Sequence, residues 1–318
     1  MTQQSLVMIG LCTFRRAAVS EALASLGALM PPEGITITIA VADNDTMPTA
    51  RERVEAAARD MPFALQYLHA PARNISRARN AILEAAQEAR ADYLAFIDDD
   101  ETVDKAWLDV LLRAHLKSGA GAIVGPVRAA YRLDAPEWMV QGAVHDTEPD
   151  ITAKGFAHTG YTCNVLLDLR DPDLTGLRFD LHRGRSGGED TAYFSQYQAR
   201  GGKIVYTPDA IVRELVPPER AKLSWLLQRR IRMGQTHGNL ICAGRGLGGR
   251  IQHASLATAK AAFCLLAAVI HSFTPLSRNR ALMRGALHLG TLSGCLGGQA
   301  LTIYGAANQQ SENKRSST

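Results

Sequence analysis

Acidic side chains all but vanish from the last third of this sequence: after Glu219 only Glu312 is acidic, against thirteen lysines and arginines. Residues 1–219 carry a formal net charge of −8 and residues 220–318 one of +12, in a chain of 318 residues. An acidic body with a basic tail excludes a uniformly basic nucleic-acid binder, and no nucleic-acid partner is expected. The tail points instead at phosphates, of a ligand or of an anionic membrane surface. Cysteine is scarce too. Five residues (Cys12, Cys163, Cys242, Cys264 and Cys295) stand far apart, odd in number and without a Cys-x-x-Cys pair. That excludes a disulfide scaffold, argues against structural zinc and indicates a reducing compartment. No basic region precedes the apolar run Leu6 to Phe14, and Arg15 and Arg16 follow it, so the run reads as a buried first strand rather than an export signal. A cytoplasmic protein is expected. With 46% hydrophobic and 21% charged residues, disorder and a polytopic membrane protein are also poor readings.

What is present is an α/β pattern. Apolar runs begin near Leu6, Ile35, Ala64 and Asp92, each followed by a segment of helical period, at intervals of βα-unit length. A further strand is expected at Ala120 to Val124, and others around Asn164 to Leu169 and Lys203 to Thr207. Polar residues close the strands: Thr13, then Asp43, Asn44 and Asp45, then Asp98, Asp99 and Asp100. In open α/β sheets ligands bind at the carboxyl ends of strands, so these clusters should share one crevice. Arg128 to Thr162 reads as an irregular insertion over that crevice. Composition shifts near residue 220, after Pro217 and Pro218.

Two apolar segments occupy the basic tail, Ala254 to Thr274 and Ala281 to Ala307, the second with Gly290, Gly294 and Gly298 four apart. That glycine spacing permits close helix approach in a membrane or a bundle. A span starting from a cytoplasmic body would place Arg278, Arg280 and Arg284 outside, against the positive-inside tendency. A re-entrant or interfacial helical hairpin is expected at the cytoplasmic membrane face, with a soluble buried hairpin as its alternative.

Three signals carry chemistry. Asp98-Asp99-Asp100 ends an apolar strand, where mutual repulsion calls for a compensating cation; hard oxygen ligands suit Mg2+ or Mn2+ bridging to a diphosphate. Gly187-Gly188-Glu189-Asp190 opens a helix, where either acid could simply cap. Together with the upstream metal site it makes Asp190 a candidate base. The third is Ser76-Arg77-Ala78-Arg79-Asn80, which would project Arg79 toward the strand ends. Further on, Arg229 and Arg232 share a helix face and could clamp a diphosphate bidentately.

In order, Thr13-Phe14-Arg15-Arg16, Val41-Ala42-Asp43-Asn44, the Ser76 to Asn80 stretch, the aspartate triplet, Gly188-Glu189-Asp190 and Arg229 to Gly234 resemble glycosyltransferase family 2 over residues 5 to 240. The likeness is to members that build bacterial exopolysaccharides of the succinoglycan type. It implies a GT-A fold, a Rossmann-like, mainly parallel sheet flanked by helices, as a catalytic domain over 1–240; the composition of 241–318 adds a basic membrane-associating helical region with a disordered tail. It also implies a metal-dependent inverting transfer of one sugar from a nucleotide-diphosphate sugar, with UDP favoured, to a saccharide or lipid-linked saccharide acceptor. Thr13 and Asp43 would hold the base, Arg79 would lie beside the base or diphosphate, and Asp98 would bind the ribose. Arg15 and Asp99 would join that donor site, Asp100 would ligate the metal with His237 as a late ligand, and Asp190 would be the base. Trp138, Asn164, Gly188 and Glu189 would meet the acceptor. Two positions depart from the family pattern: Cys163 and Asn74 stand where glycine is usual, which would narrow the pockets. Arg229-Arg230-Ile231-Arg232 lacks the Gln-x-x-Arg-Trp signature of processive synthases, so one transfer per encounter is expected.

Two rivals remain at this level. Asp98-x-Asp100-x-Thr102-Val103 also fits a haloacid-dehalogenase phosphatase signature, but three βα units precede it and no well-placed later acidic pair follows. A nucleotide-sugar-binding assembly protein without turnover would keep the same residues.

Overall fold

The computed structural model describes residues 4–185 and 187–298. Among them the chain forms, in order, β1 (Ser5–Thr13), α1 (Val19–Gly27), β2 (Ile35–Asp43), α2 (Arg51–Ala58), β3 (Ala64–His69), α3 (Ile75–Glu88), β4 (Tyr93–Asp98), β5 (Glu101–Val103), α4 (Trp107–Ser118), β6 (Ala122–Val124), β7 (Val127–Ala130) and α5 (Glu137–Gly142). Then follow β8 (Asn164–Asp168), α6 (Glu189–Ala199), β9 (Ile204–Tyr206), β10 (Val212–Leu215), α7 (Leu223–Cys242), α8 (Leu247–Ile270) and α9 (Pro275–Cys295). The expected tail and the end of the second apolar segment, from residue 299, lie outside the described residues.

Two compact units result. The first takes residues up to Ala130, His145–Arg185 and Glu189–Leu215; the second takes Tyr131–Val144, the turn at Gly187 and Gly188, and the chain from Val216. The first is built on a seven-stranded sheet in the order β3-β2-β1-β4-β8-β6-β9, mainly parallel, with β8 antiparallel to β4 and β6. Alternation along β1 explains its two faces. Val7, Ile9 and Leu11 point to a core shared with α1, α2 and α4, through Leu23, Val54 and Trp107. Met8 points to the opposite core, shared with α3 and α6 through Ile82 and Phe194. Helices thus cover both faces, as near-continuous apolar strands require.

The expected strands are all present, and three short ones were not foreseen. β5, β10 and β7 form a second, three-stranded sheet. Register brings the polar strand ends together: Thr13 pairs with Asp43, and Cys12 with Asp98.

The insertion divides between units. Tyr131–Val144, containing α5, belongs to the second unit, where Met139 and Val144 pack with Leu226 and Met283. In that unit α7 and α9 meet along a glycine seam. A Cβ on Gly234 or Gly290 would come within 2.0 Å of Leu287 O or Ile231 O, and one on Gly238 or Gly294 within 2.4 Å of Thr291 O or Gln235 O. Gly290 and Gly294 therefore serve a helix pair inside the unit. Gly298, expected on the same face, lies beyond the end of α9.

Candidate active site

Left-handed Arg15 (φ 55°) sets the outgoing direction of β1 and sends two adjacent arginines to different partners. Arg15 Nε lies 2.6 Å from Asp45 Oδ2. Arg16 Nη1 reaches Asp99 Oδ1 at 2.9 Å and Asp100 Oδ2 at 2.6 Å. Thr13, almost fully buried, donates its hydroxyl to Asp99 Oδ2 at 2.6 Å. Asp99 is therefore a buried fastener between β1 and the end of β4. Asp100 shares its counter-cation.

Asp98 is different. Its side chain is 43% exposed, and the cation that faces it is Arg79, with Nη2 at 3.9 Å. Burial of the crevice floor pushes its pKa up to about 7, Arg79 opposing and the neighbouring Asp100 and Asp99 adding to the rise. Behind it, fully buried Glu101 accepts from Asp98 N at 2.7 Å, and burial holds its carboxyl well above the usual range.

Arg79 is buried on α3, which Asn74 caps by accepting from Arg77 N. Asn74, expected to narrow a pocket, has this local capping task. Arg79 Nη1 pairs with Glu189 Oε1 at the start of α6, and its guanidinium lies 5.7 Å from the Phe179 ring centroid. Glu189 is buried and paired, so it does not offer itself to an acceptor as expected; its Oε2 has no hydrogen-bond partner. The next residue, half-buried Asp190, accepts from Thr191 N at 2.6 Å through Oδ1. Burial, then the charge of Glu189, raises its pKa, against Arg79. Among the described residues no hydrogen bond is made to its Oδ2, and both Thr191 bonds go to Oδ1.

Two expected contact residues occupy other positions. Asn164 is fully buried, with Nδ2 donating to Pro126 O at 2.9 Å and Ala210 O at 2.6 Å, and Oδ1 accepting from Trp107 Nε1 at 2.9 Å. Its amide ties elements of the first unit together, which corrects the acceptor reading. Asp43 is fully buried too, accepting from Asp45 N at 3.0 Å, Ala50 N at 2.8 Å and Tyr67 Oη at 2.9 Å. It braces the turn after β2 rather than presenting a free carboxylate.

In the second unit, Arg229 stacks 5.5 Å from the Trp225 ring, and Trp138 packs half-buried on the apolar cluster of Met139, Leu226 and Met283. That packing is the anchoring role of an aromatic. Gly187 (φ 85°) and Gly188 (φ 82°) bring their backbone against α7: a Cβ would come within 1.8 Å of Arg232 Nη2 and 2.4 Å of Thr236 Cγ2. The positive φ strains any other residue at both positions, and at Gly188 a Cβ would also press on Thr236. His237 is exposed on α7; partial desolvation, then His253 and Lys260, lower its pKa.

Among the described residues no three His, Cys, Asp or Glu side chains gather as a ready metal set. The donor chemistry still fits a hard cation. Asp98 and Asp100 supply carboxylate oxygens, and Mg2+ is commonly held by one or two carboxylates with substrate phosphates completing its shell. Arg16, Asp45 and Glu101 received no role from sequence reasoning; adjacent arginines after a strand do not reveal which one turns inward.

The family model of glycosyl transferase family 2 matches residues 9–181. The succinoglycan biosynthesis protein ExoM of Rhizobium meliloti (strain 1021) is 46% identical over 299 residues, 94% of this chain and 95% of that protein. Among solved structures, the mannosyltransferase PcManGT of Pyrobaculum calidifontis, in complex with GDP-Man and Mn2+, superposes with a TM-score of 0.61 at 16% identity, over 91% of this chain and 86% of its own. GalNAc-T7 with UDP, GalNAc and Mn2+ gives a TM-score of 0.54 at 12% identity, over 72% of this chain and 47% of that one. These structural likenesses show the same fold, and the sequence matches show more: the chain belongs to glycosyl transferase family 2.

Proposed function

We propose that the protein transfers one sugar, with inversion, from a nucleotide-diphosphate sugar to a saccharide acceptor during exopolysaccharide assembly. The relative ExoM, named for succinoglycan biosynthesis, supports the pathway class. Neighbours solved with GDP-Man and Mn2+, or with UDP and Mn2+, support a nucleotide sugar and a divalent cation. UDP is the favoured carrier, and a lipid-linked acceptor at the cytoplasmic membrane face fits the basic C-terminal helices. The catalytic domain is taken as residues 1–240.

The observation that carries the reaction is the position of Arg79, between half-buried Asp98 and the start of α6. Through Glu189 it holds the start of α6, where Asp190 follows. In the proposed step Asp190 takes the acceptor hydroxyl proton as that oxygen bonds the anomeric carbon. The bond to the diphosphate oxygen breaks, and the leaving group keeps the electron pair. A divalent cation at Asp98 and Asp100 would supply charge neutralisation for the diphosphate. Arg16, already at these carboxylates, is the cationic side chain of this unit that would meet phosphate oxygens. One displacement needs one base, unlike the paired carboxylates of glycoside hydrolysis.

Asp190→Asn tests this reading. Transfer should fall roughly 100-fold to 10,000-fold, while the nucleotide-sugar-induced rise in thermal midpoint persists. A variant that keeps wild-type turnover removes Asp190 as the base. A wild type that binds donor and transfers nothing to any saccharide acceptor supports the assembly-protein alternative.

A further inference from the structure

The most unusual surface of the second unit is on α8. Its packed side is a row of small residues, Ala254, Ala257, Ala261, Cys264 and Ala268, at the alternating spacing of three and four that keeps one helix face. Its large side chains point the other way: Phe263 is 72% exposed, Leu266 60% and Ile270 68%. Leu256 and Val269 widen the same exposed face, and Phe273 continues it past the helix end. With 24 residues, α8 is also long and apolar enough to cross a bilayer.

A groove of about 380 Å3 opens beside it, lined by Ala259, Lys260, Phe263, Cys264, Arg284 and His288. Its three cationic or titratable side chains have no hydrogen bond or ion pair to any described residue. They act on one another instead: burial, then Lys260 and Arg284, then His237, lower the pKa of His288. From α7 through α9 the sequence contains no Asp or Glu. Like charges gathered without an acid are unfavourable until an anion arrives from outside.

We propose that the groove between α8 and α9 binds the phosphate of an anionic phospholipid, with α8 lying in the membrane interface and its Phe263, Leu266 and Ile270 face in the acyl region. This rests on the membrane-face part of the proposed function and not on the catalytic assignments. The shape of the surface selects the occupant. A soluble phosphate would use the cations alone, whereas here Phe263 belongs to both groove and apolar face, as an amphiphile requires. A second copy of the chain would bring the same cations against these. A transmembrane span would carry Lys260 to mid-bilayer and pull the alanine row off α9, which itself bears Arg278, Arg280 and Arg284. A helix in the interface keeps all of these contacts.

The test is co-sedimentation of the full chain with vesicles of phosphatidylcholine alone or with about 30% phosphatidylglycerol, since acidic lipid sets the surface potential that basic residues read. Wild type should bind the anionic vesicles and bind the neutral ones far more weakly. At about 1 kcal/mol per basic residue, Lys260→Gln with Arg284→Gln should weaken anionic binding about 30-fold, with a thermal midpoint unchanged or raised because repulsion is removed. Phe263→Ser with Ile270→Ser should lose vesicle binding with its midpoint intact, since both side chains face outward. Equal wild-type binding to the two vesicles overturns the phosphate site. So does a glutamine variant that binds like wild type, one that unfolds, or a midpoint rise with inorganic phosphate matching that with anionic vesicles. If the serine variant loses the membrane while the glutamine variant keeps it, the membrane-face reading stands alone. If wild type binds neither vesicle, both fall.

Discussion

Asp45 shows how a crevice-lining turn is kept in shape by one carboxylate. Arg15 meets it with two nitrogens, at 2.6 and 3.3 Å, and Thr46 N and Thr49 Oγ1 donate to it. Burial works against its ionisation, but these donors outweigh burial and hold its pKa below the usual carboxylate value. The folded state therefore binds fewer protons than the unfolded chain. The stabilisation is fully present above the unfolded pKa of about 3.9 and is lost as pH falls through the folded one. Asp45→Asn should cost about 2 kcal/mol at pH 7. In thermal melts across pH, its gap from wild type should be constant above about pH 5 and close below about pH 4. None of this was legible in the sequence, where Asp45 was one of three polar residues after a strand. The same limit explains Asn164 and Asp43. Each is a polar residue at the right strand end, and only the positions of Trp107, Ala50 and Tyr67 show that its capacity is taken by the protein.

At the scale of elements, the glycine seam makes α7 and α9 one packed pair. Gly290→Ala improves intrinsic helix propensity by about 1 kcal/mol yet sets a methyl against Ile231 O, so the net effect should be a loss of about 2 kcal/mol or more from overpacking. Gly248→Ala on α8, where a Cβ meets nothing within 4 Å, should leave stability unchanged or raise it. Urea titration of both variants measures the difference; equal midpoints would mean that α9 shifts to make room. The period-two and helical patterns located the long elements because apolar periodicity reports burial. They missed β5, β7 and β10, which are three or four residues long and gain their identity from pairing with each other, information no local window contains. They also placed Gly298 in line with Gly290 and Gly294 because spacing alone does not mark where a helix stops.

For the whole molecule, charge and the succession of βα units were the readable quantities. The basic C-terminal stretch and the acidic strand ends followed from composition and motif order, and family membership from motifs in sequence. The division into units did not, because Tyr131–Val144 joins helices nearly a hundred residues further on. Thermal shifts with UDP-, GDP-, dTDP- and CMP-linked compounds, with and without Mn2+, test the whole donor site. One nucleotide, with UDP favoured, should raise the midpoint by RT ln(1 + [L]/Kd), about 2.7 kcal/mol at 100 times Kd, only with metal present and not in Asp100→Ala. A metal-independent shift would remove the cation from the proposal. Arg16 adds a consequence for how that occupancy begins. Its guanidinium is already engaged by Asp99 and Asp100, so an arriving diphosphate competes for a cation in use. On the proposed function, donor capture at this strand end would be an exchange of partners, in which the carboxylates give up one counter-ion as they gain another, and affinity would report the difference between two ionic contacts rather than the strength of either.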